Sequence, residues 1–172
     1  DVGHLLQPAD LANDLAGMIV ASPANPTGAI LSKDEFAALI ATCKDTDTAF
    51  ISDEIYHGLH YENRATTALE ISDDVYVINS FSKYFCMTGW RLGWAIIPDD
   101  LLEITERLAQ NLYIGPARPM QEGAMAAFDD YDALDENVMR YRENRDLLLR
   151  ELPESFLGEM APADGAFDIY AD

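Results

Sequence analysis

The pattern of apolar and polar residues along the chain predicts four short strands separated by helices. Four apolar runs of strand length are bounded by turn-forming or charged residues: 18–22, 48–52, 74–80 and 93–97. Between the first two runs, Ser32 and Glu35 form a capping box, which predicts the start of a helix. Four apolar residues follow at helical spacing: Phe36, Leu39, Ile40 and Cys43. Strands that alternate with helices predict a layered α/β domain.

The connection between the third and fourth strands is short. A parallel crossover needs about a dozen residues or more, whereas the stretch from Ser80 to Gly93 is at that limit and contains Gly89. We therefore predict that the fourth strand runs antiparallel to the others, in a mixed, mostly parallel sheet. Three helices are predicted after it, over residues 99–110, 117–128 and 136–151, and Pro153 is expected to end the last one.

Polar side chains follow three of the predicted strands. In open α/β sheets, ligands bind beyond the carboxyl ends of the strands. The candidate side chains at these ends are Asn25, Asp53, Tyr56, Ser80, Ser82 and Lys83, with Arg91 shortly after them. Each has an ordinary structural explanation, since Asn25 is typical of a turn and the Asp53–Glu54 pair is typical of a solvated loop or a helix cap.

Together, however, these side chains match the needs of one cofactor. Lys83 is an amine that forms Schiff bases, and Arg91 with the neighbouring hydroxyls is suited to a phosphate. Asp53 suits a protonated ring nitrogen, and Asn25 and Tyr56 suit a phenolic oxygen. These are the groups that a protein contributes to pyridoxal phosphate chemistry.

Three segments resemble class I and II aminotransferases, which are pyridoxal-phosphate-dependent proteins of fold type I and include the aspartate aminotransferases. The segments read SPANPTG at residues 22–28, SDEIY at residues 52–56 and SFSKYFCMTGWRLG at residues 80–93. The resemblance extends through residues 165–167 and covers less than half of a usual family protein. It implies a three-layer α/β/α fold that is truncated at both ends. Residues 1–152 would be part of the large cofactor-binding domain, and residues 153–172 would begin an incomplete C-terminal small domain.

The resemblance also assigns roles to individual residues. Lys83 would form the Schiff base with the cofactor and carry protons during the reaction, and Asp53 would keep the pyridine nitrogen protonated. Asn25 and Tyr56 would bind the 3′-oxygen of the ring, which makes Lys83, Asp53 and Tyr56 the catalytic set.

The phosphate of the cofactor would be held by Ser80, Ser82 and Arg91. Asp168 departs from the family pattern, because an aromatic residue often follows Gly-Ala-Phe there, so we expect a local difference in packing at this position. The family's upstream phosphate loop, its ring-stacking aromatic residue and its arginine for the substrate carboxylate have no match among these residues.

The implied function is the transfer of an amino group from an amino acid to a 2-oxo acid through a lysine Schiff base. Two alternatives stay open, because fold-type I lyases and synthases share the three segments, and some transcription regulators carry an aminotransferase-like sensor domain. The resemblance also implies a homodimer for the full-length protein.

The charge of the chain narrows the range of partners. The 172 residues include 31 acidic and 11 basic side chains, which gives a net charge of −20. Such a chain repels nucleic acids and anionic membranes, and no apolar run is long enough for a bilayer span. The chain has two cysteines, Cys43 and Cys86, which are too few for a disulfide framework. Their small number favours a reducing, cytoplasmic location for the protein. No metal is expected at His57 and His60, which lack a supporting carboxylate pattern.

Overall fold

Four strands form one sheet in the computed structural model, which describes residues 7–11, 14–152, 158 and 160–171. The strands are β1 (Gly17–Ala21), β2 (Ala49–Asp53), β3 (Tyr76–Ser80) and β4 (Gly93–Ile96), and they lie side by side in chain order. The first three are parallel, whereas β4 pairs antiparallel with β3. This confirms the mixed, mostly parallel sheet that the short connection before β4 predicts.

The described chain also contains four α-helices. They are α1 (Lys33–Asp45), α2 (Leu102–Leu112), α3 (Arg118–Ala127) and α4 (Tyr131–Glu151). Short 3₁₀ turns lie at Pro8–Asp10, Ala68–Glu70, Thr88–Trp90 and Asp99–Leu101. None of the described helices is long and apolar enough to cross a membrane.

The start of α1 follows from local sequence. Ser32 Oγ accepts a hydrogen bond of 3.3 Å from the Glu35 backbone N–H, and Glu35 Oε2 accepts one of 2.9 Å from the Ser32 backbone N–H. The hydrogen bonds from Ser32 also lower the pKa of the Glu35 carboxyl. The capping box is therefore formed in full and fixes the first turn of the helix.

Two helix boundaries differ from the sequence prediction. Helix α4 begins at Tyr131 rather than at residue 136, because Leu134 in its first turn is buried against residues distant in sequence. The predicted stretch from residue 99 starts as a 3₁₀ turn and becomes helical only at Leu102. Pro153 lies outside the described residues.

The main core lies between α1 and one face of the sheet. Phe36, Leu39, Ile40 and Cys43 are buried there, as the helical spacing predicts. The Phe36 ring meets the Phe50 ring edge-on, with 5.6 Å between centroids. On the opposite face, Ile19 and Ile78 are 70% and 40% exposed, so the sheet is open at these positions in the described part of the chain.

Two smaller clusters lie around the segments that follow the strands. Leu134 of α4 packs with Tyr56, Leu59 and Tyr84, and Ala124 of α3 packs with Phe81 and Met87. In addition, Tyr84 Oη donates a 2.6 Å hydrogen bond to Asp135 Oδ1. Burial, and after it this hydrogen bond, raises the pKa of Tyr84. Helices α3 and α4 thus hold the segments that carry the candidate site.

Gly58 is needed where one of these segments passes Tyr84. Its φ is +94°, and a Cβ added to it would lie 2.4 Å from the Tyr84 ring. We expect Gly58→Ala to lower the free energy of unfolding by about 1–3 kcal/mol through overpacking, with further cost from the left-handed backbone. Urea denaturation measures the change. Gly89→Ala is the matched control, since a Cβ there meets nothing within 4 Å, and equal stabilities of the two variants would contradict the packing argument.

Candidate functional site

The predicted site residues converge on one edge of the sheet. The pairing register places Ala21 beside Asp53 and Asp53 beside Ile78, so the carboxyl ends of the three parallel strands lie next to one another. Ser80 pairs with Gly93 across the antiparallel pair. The segments that follow these strands therefore share the edge at which α/β sheets bind ligands.

Asn25 and Tyr56 meet directly at this edge. Asn25 Nδ2 donates a hydrogen bond of 3.1 Å to Tyr56 Oη. Asn25 lies in a tight turn, closed by a 2.7 Å hydrogen bond from Gly28 N to Ala24 O. The Tyr56 ring is buried, whereas Asn25 is exposed. An amide and a phenol are thus presented together at the surface of the site.

Asp53 is the last residue of β2 and is half-buried. Its Oδ1 accepts a hydrogen bond of 3.2 Å from Ile55 N, which fixes the side chain against its own backbone. Its Oδ2 makes no hydrogen bond to any described residue, so this carboxylate oxygen remains able to accept one from a ligand.

Lys83 is held by aromatic rings rather than by a carboxylate. Its Nζ lies 5.2 Å from the centroid of the Tyr56 ring and 5.3 Å from that of the Phe167 ring. Both distances suit a cation–π contact. Lys83 forms no ion pair within the described part of the chain, whereas Lys33 pairs with Glu70 and Lys44 pairs with Asp74 on the surface. The structure therefore distinguishes Lys83 from the other two lysines.

The two serines are close together beside the start of the Lys83 segment. Ser80 Oγ lies 2.9 Å from Ser82 Oγ and accepts a 3.0 Å hydrogen bond from Ser82 N. Ser80 Oγ also lies 3.1 Å from the carbonyl oxygen of Leu92. Arg91 directly precedes Leu92, so backbone contacts bring the arginine's segment to the serines.

The Arg91 side chain itself is exposed. Its backbone is left-handed, with a φ of 53°, and its Nη1 donates a 3.0 Å hydrogen bond to the Thr88 carbonyl oxygen. Its guanidinium makes no hydrogen bond to Ser80 or Ser82 in the described chain. The structure thus brings Arg91 near the serines through the backbone, while its side chain keeps donors free for a ligand.

Two further side chains enter the site from the end of the chain. The Phe167 ring meets the Tyr56 ring edge-on, with 5.6 Å between centroids. Asp168 Oδ2 accepts a hydrogen bond of 3.1 Å from Asn25 Nδ2. At Asp168 the sequence predicts only a local difference in packing, not this hydrogen bond. The only sequence feature that could have indicated a place in the site for Phe167 and Asp168 is that they lie where the family-like sequence ends.

Glu54 is a third residue whose environment was not predicted. It is 3% exposed, so the expected solvated loop or helix cap is wrong for this side chain. Its carboxylate accepts hydrogen bonds from Ser52, Thr67 and Ala68. The adjacent Asp53 is half-buried at the strand end, so neighbouring acidic residues have different environments.

The chemistry of these donors and acceptors fits pyridoxal phosphate. Asp53 offers a carboxylate oxygen to a protonated ring nitrogen, while Asn25 and Tyr56 offer polar groups to a ring oxygen. Serine hydroxyls with the Arg91 guanidinium suit a phosphate dianion. Among the described residues, no group of three histidine, cysteine, aspartate or glutamate side chains is placed to hold a metal ion.

Comparison with known proteins gives consistent matches. The family model for aminotransferase class I and II matches residues 1–167. A valine–pyruvate aminotransferase of Mycobacterium tuberculosis is 43% identical over 168 residues, which cover 95% of this chain and 43% of the relative. An aspartate aminotransferase of Sulfurisphaera tokodaii is 32% identical over 89% of this chain and 39% of its own length.

Solved structures match the fold as well. A crystal structure from Silicibacter pomeroyi has a TM-score of 0.93 and 51% identity, covering 97% of this chain and 45% of that one. Thermus thermophilus aspartate aminotransferase with maleate has a TM-score of 0.81 and 28% identity, covering 92% of this chain and 43% of its own. The chain therefore spans less than half the length of these relatives.

Proposed function

The chain belongs to the class I and II aminotransferase family, and from this premise we propose that the protein transfers an amino group from an amino acid to a 2-oxo acid. The observation that carries the proposal is the position of Lys83 Nζ, which lies beside Tyr56 at the edge shared with Asp53. A primary amine, a carboxylate and a phenol converge there as pyridoxal phosphate chemistry requires.

Four residues would bind the ring and the phosphate from the strand ends. Asp53 Oδ2 would accept a hydrogen bond from the protonated ring nitrogen, and its charge would keep that proton in place. Tyr56 Oη accepts from Asn25 Nδ2, so its own O–H would donate to the ring oxygen. Asn25 Nδ2 would bind the same oxygen by exchanging its hydrogen bond to Tyr56 Oη or Asp168 Oδ2 for one to the ligand. Arg91 would hold the phosphate with its free guanidinium donors.

The serines would complete the phosphate site. Ser80 and Ser82 have hydroxyls 2.9 Å apart, and either hydroxyl can rotate to donate to a phosphate oxygen. Ser80 is fixed by its pairing with Gly93, and the Ser82 backbone N–H donates a hydrogen bond to Ser80 Oγ. The ligand would therefore be anchored to the rigid end of β3.

Lys83 would perform the chemical step. Pyridoxal 5′-phosphate supplies an aldehyde that bonds to amines and a ring that withdraws electrons. Lys83 Nζ would hold the cofactor at its aldehyde carbon, and the same nitrogen, as a free amine, would carry the proton that leaves the substrate carbon and is returned during amino-group transfer. Tyr56 and Phe167 restrict where the amine can lie, because their rings flank Nζ.

Amino-group transfer can be tested on the full-length protein supplied with pyridoxal phosphate. Valine with pyruvate is the first pair to test, because a valine–pyruvate aminotransferase is 43% identical to this chain. Aspartate with 2-oxoglutarate is the second. We expect ¹⁵N from the donor to appear in the amino acid formed from the acceptor. Repeated turnover of the donor with no acceptor present, with loss of its amino group or side chain beyond one equivalent per site, would instead indicate a lyase.

The proposal extends to the larger assembly. Residues 1–152 would belong to the large cofactor-binding domain, and residues 153–172 would begin the small domain of a cytoplasmic homodimer. The free thiols of Cys43 and Cys86 support a reducing compartment. Sedimentation of the full-length protein at micromolar concentration is expected to give a dimer, and a monomer alone would count against this part of the proposal.

A further inference from the structure

Glu54 places a buried carboxylate directly behind the candidate site. Its Oε1 accepts hydrogen bonds from Ser52 Oγ at 3.0 Å, Thr67 Oγ1 at 2.9 Å and Ala68 N at 2.8 Å. Burial of a polar side chain is costly unless hydrogen bonds replace the water that it loses, and these three donors replace that water for Glu54. Because Glu54 follows Asp53 in the chain, this network fixes the backbone next to the Asp53 side chain.

The second carboxylate oxygen of Glu54 is connected through His57 to the segment that follows β1. Glu54 Oε2 lies 3.3 Å from His57 Nδ1, and His57 Nε2 lies 3.1 Å from the Ser22 carbonyl oxygen. Burial lowers the pKa of His57, although the Glu54 carboxylate and the Ser22 carbonyl partly oppose this shift. Ser22 precedes the turn that carries Asn25, so His57 bridges the segment after β1 and the segment after β2.

Glu54 is also attached to the third strand. Its backbone N–H donates a 2.8 Å hydrogen bond to the Ile78 carbonyl oxygen of β3. The side chain and backbone of a single residue therefore contact the carboxyl-terminal ends of β2 and β3, and His57 extends the connection to β1.

We infer that Glu54 and His57 are positioning residues, which hold the Asn25 turn against the Asp53–Tyr56 segment so that all three side chains meet one ligand. The inference rests on the proposed function, because the ligand is the proposed cofactor. Neither residue needs to touch that ligand. Their effect passes through Ser22 to Asn25 and through the backbone to Asp53 and Tyr56.

Cofactor affinity in matched variants tests the inference. The dissociation constant of pyridoxal 5′-phosphate is measured by absorbance titration of the full-length apoprotein, alongside urea unfolding. We expect Glu54→Ala and His57→Ala each to weaken binding by about tenfold or more, the equivalent of losing a charged hydrogen bond. His60→Ala is the control, because His60 lies in the same segment and its buried Nδ1 has no hydrogen-bond partner among the described residues.

The conservative variant Glu54→Gln separates positioning from stability alone. Glutamine keeps an oxygen for the three donors and presents an N–H to His57 Nδ1, so a neutral imidazole can still donate from Nε2 to the Ser22 carbonyl. We expect this variant to recover affinity to within about threefold of the unaltered protein. Reduced stability of Glu54→Ala and His57→Ala with unchanged affinity would overturn the inference, as would no recovery in Glu54→Gln.

A second readout does not depend on the cofactor. Hydrogen–deuterium exchange of the apoprotein is expected to be faster over residues 24–31 in His57→Ala, and unchanged there in His60→Ala. If Glu54→Ala fails to fold, His57→Ala and Glu54→Gln decide the question. An unaltered protein that binds no cofactor would refute the proposed function, and unchanged exchange in His57→Ala would refute the positioning role separately.

Discussion

The Lys83→Ala substitution is expected to reduce amino-group transfer by about 10³-fold or more, because it removes the amine that we propose as both the attachment point of the cofactor and the carrier of the proton. The side chain is half-buried between Tyr56 and Phe167 and makes no ion pair among the described residues. The loss should therefore appear in kcat, while stability changes little. Steady-state assays with saturating amino acid and 2-oxo acid measure it.

The other two lysines provide matched controls. Lys33 and Lys44 are exposed and form surface ion pairs with Glu70 and Asp74, which are worth about 0–1 kcal/mol. Alanine substitutions at these positions should leave turnover unchanged. Similar losses in all three variants, or turnover of Lys83→Ala within about tenfold of the unaltered protein, would remove Lys83 from the mechanism.

The Asp53→Ala substitution is expected to have the second-largest effect, a loss of about 10²-fold to 10³-fold in kcat. A charge-assisted hydrogen bond contributes about 1.5–3 kcal/mol, and its value rises where charge develops on the ring during the reaction. Asp53 Oδ1 is already engaged by Ile55 N. The loss should therefore come from the free Oδ2 that would hold the ring proton.

Two comparisons separate this effect from a general loss of negative charge. Asp73→Ala removes an exposed carboxylate before β3 and should leave kcat unchanged. Asp53→Asn keeps the side-chain shape and the acceptor for Ile55 N but loses the charge, so it should resemble Asp53→Ala in kcat. An Asp53→Asn enzyme as active as the unaltered protein would contradict the charge-based role.

Local signals made much of the fold predictable. The Ser32–Glu35 capping box defines the start of α1, and the spacing of Phe36, Leu39 and Ile40 identifies its buried face. The antiparallel direction of β4 followed from the length of a single connection. Each of these features depends on residues close together in the chain, so sequence alone contains the needed information.

Features that depend on distant contacts were not predictable in the same way. The first turn of α4 is stabilised by Leu134 packing on Tyr56 and Tyr84, which no local pattern indicates. The same holds for the site, since the hydrogen bond between Asn25 and Asp168 joins positions 143 residues apart. The alternation of strands and helices predicts which edge binds the ligand, but not which other side chains reach it.

The burial of Glu54 was also not predictable, because it too depends on contacts with residues distant in the sequence. An acidic pair after a strand predicts solvent exposure, whereas Glu54 is buried among contacts from Ser52, Thr67, Ala68 and His57. Thr67 and Ala68 lie 13 and 14 residues after Glu54, so no local pattern indicates these donors. The burial of this acidic residue is therefore set by tertiary contacts, which the local sequence does not indicate.

Borohydride reduction of the full-length protein loaded with pyridoxal phosphate tests the central claim most directly. Reduction converts the bond between a lysine amine and the cofactor into a stable one, and peptide mapping then identifies the lysine. We expect a single labelled peptide containing Lys83, with no label in the Lys83→Ala variant. Labelling at Lys33 or Lys44, or no label at all, would contradict the assignment of Lys83 and of the strand-end site around it.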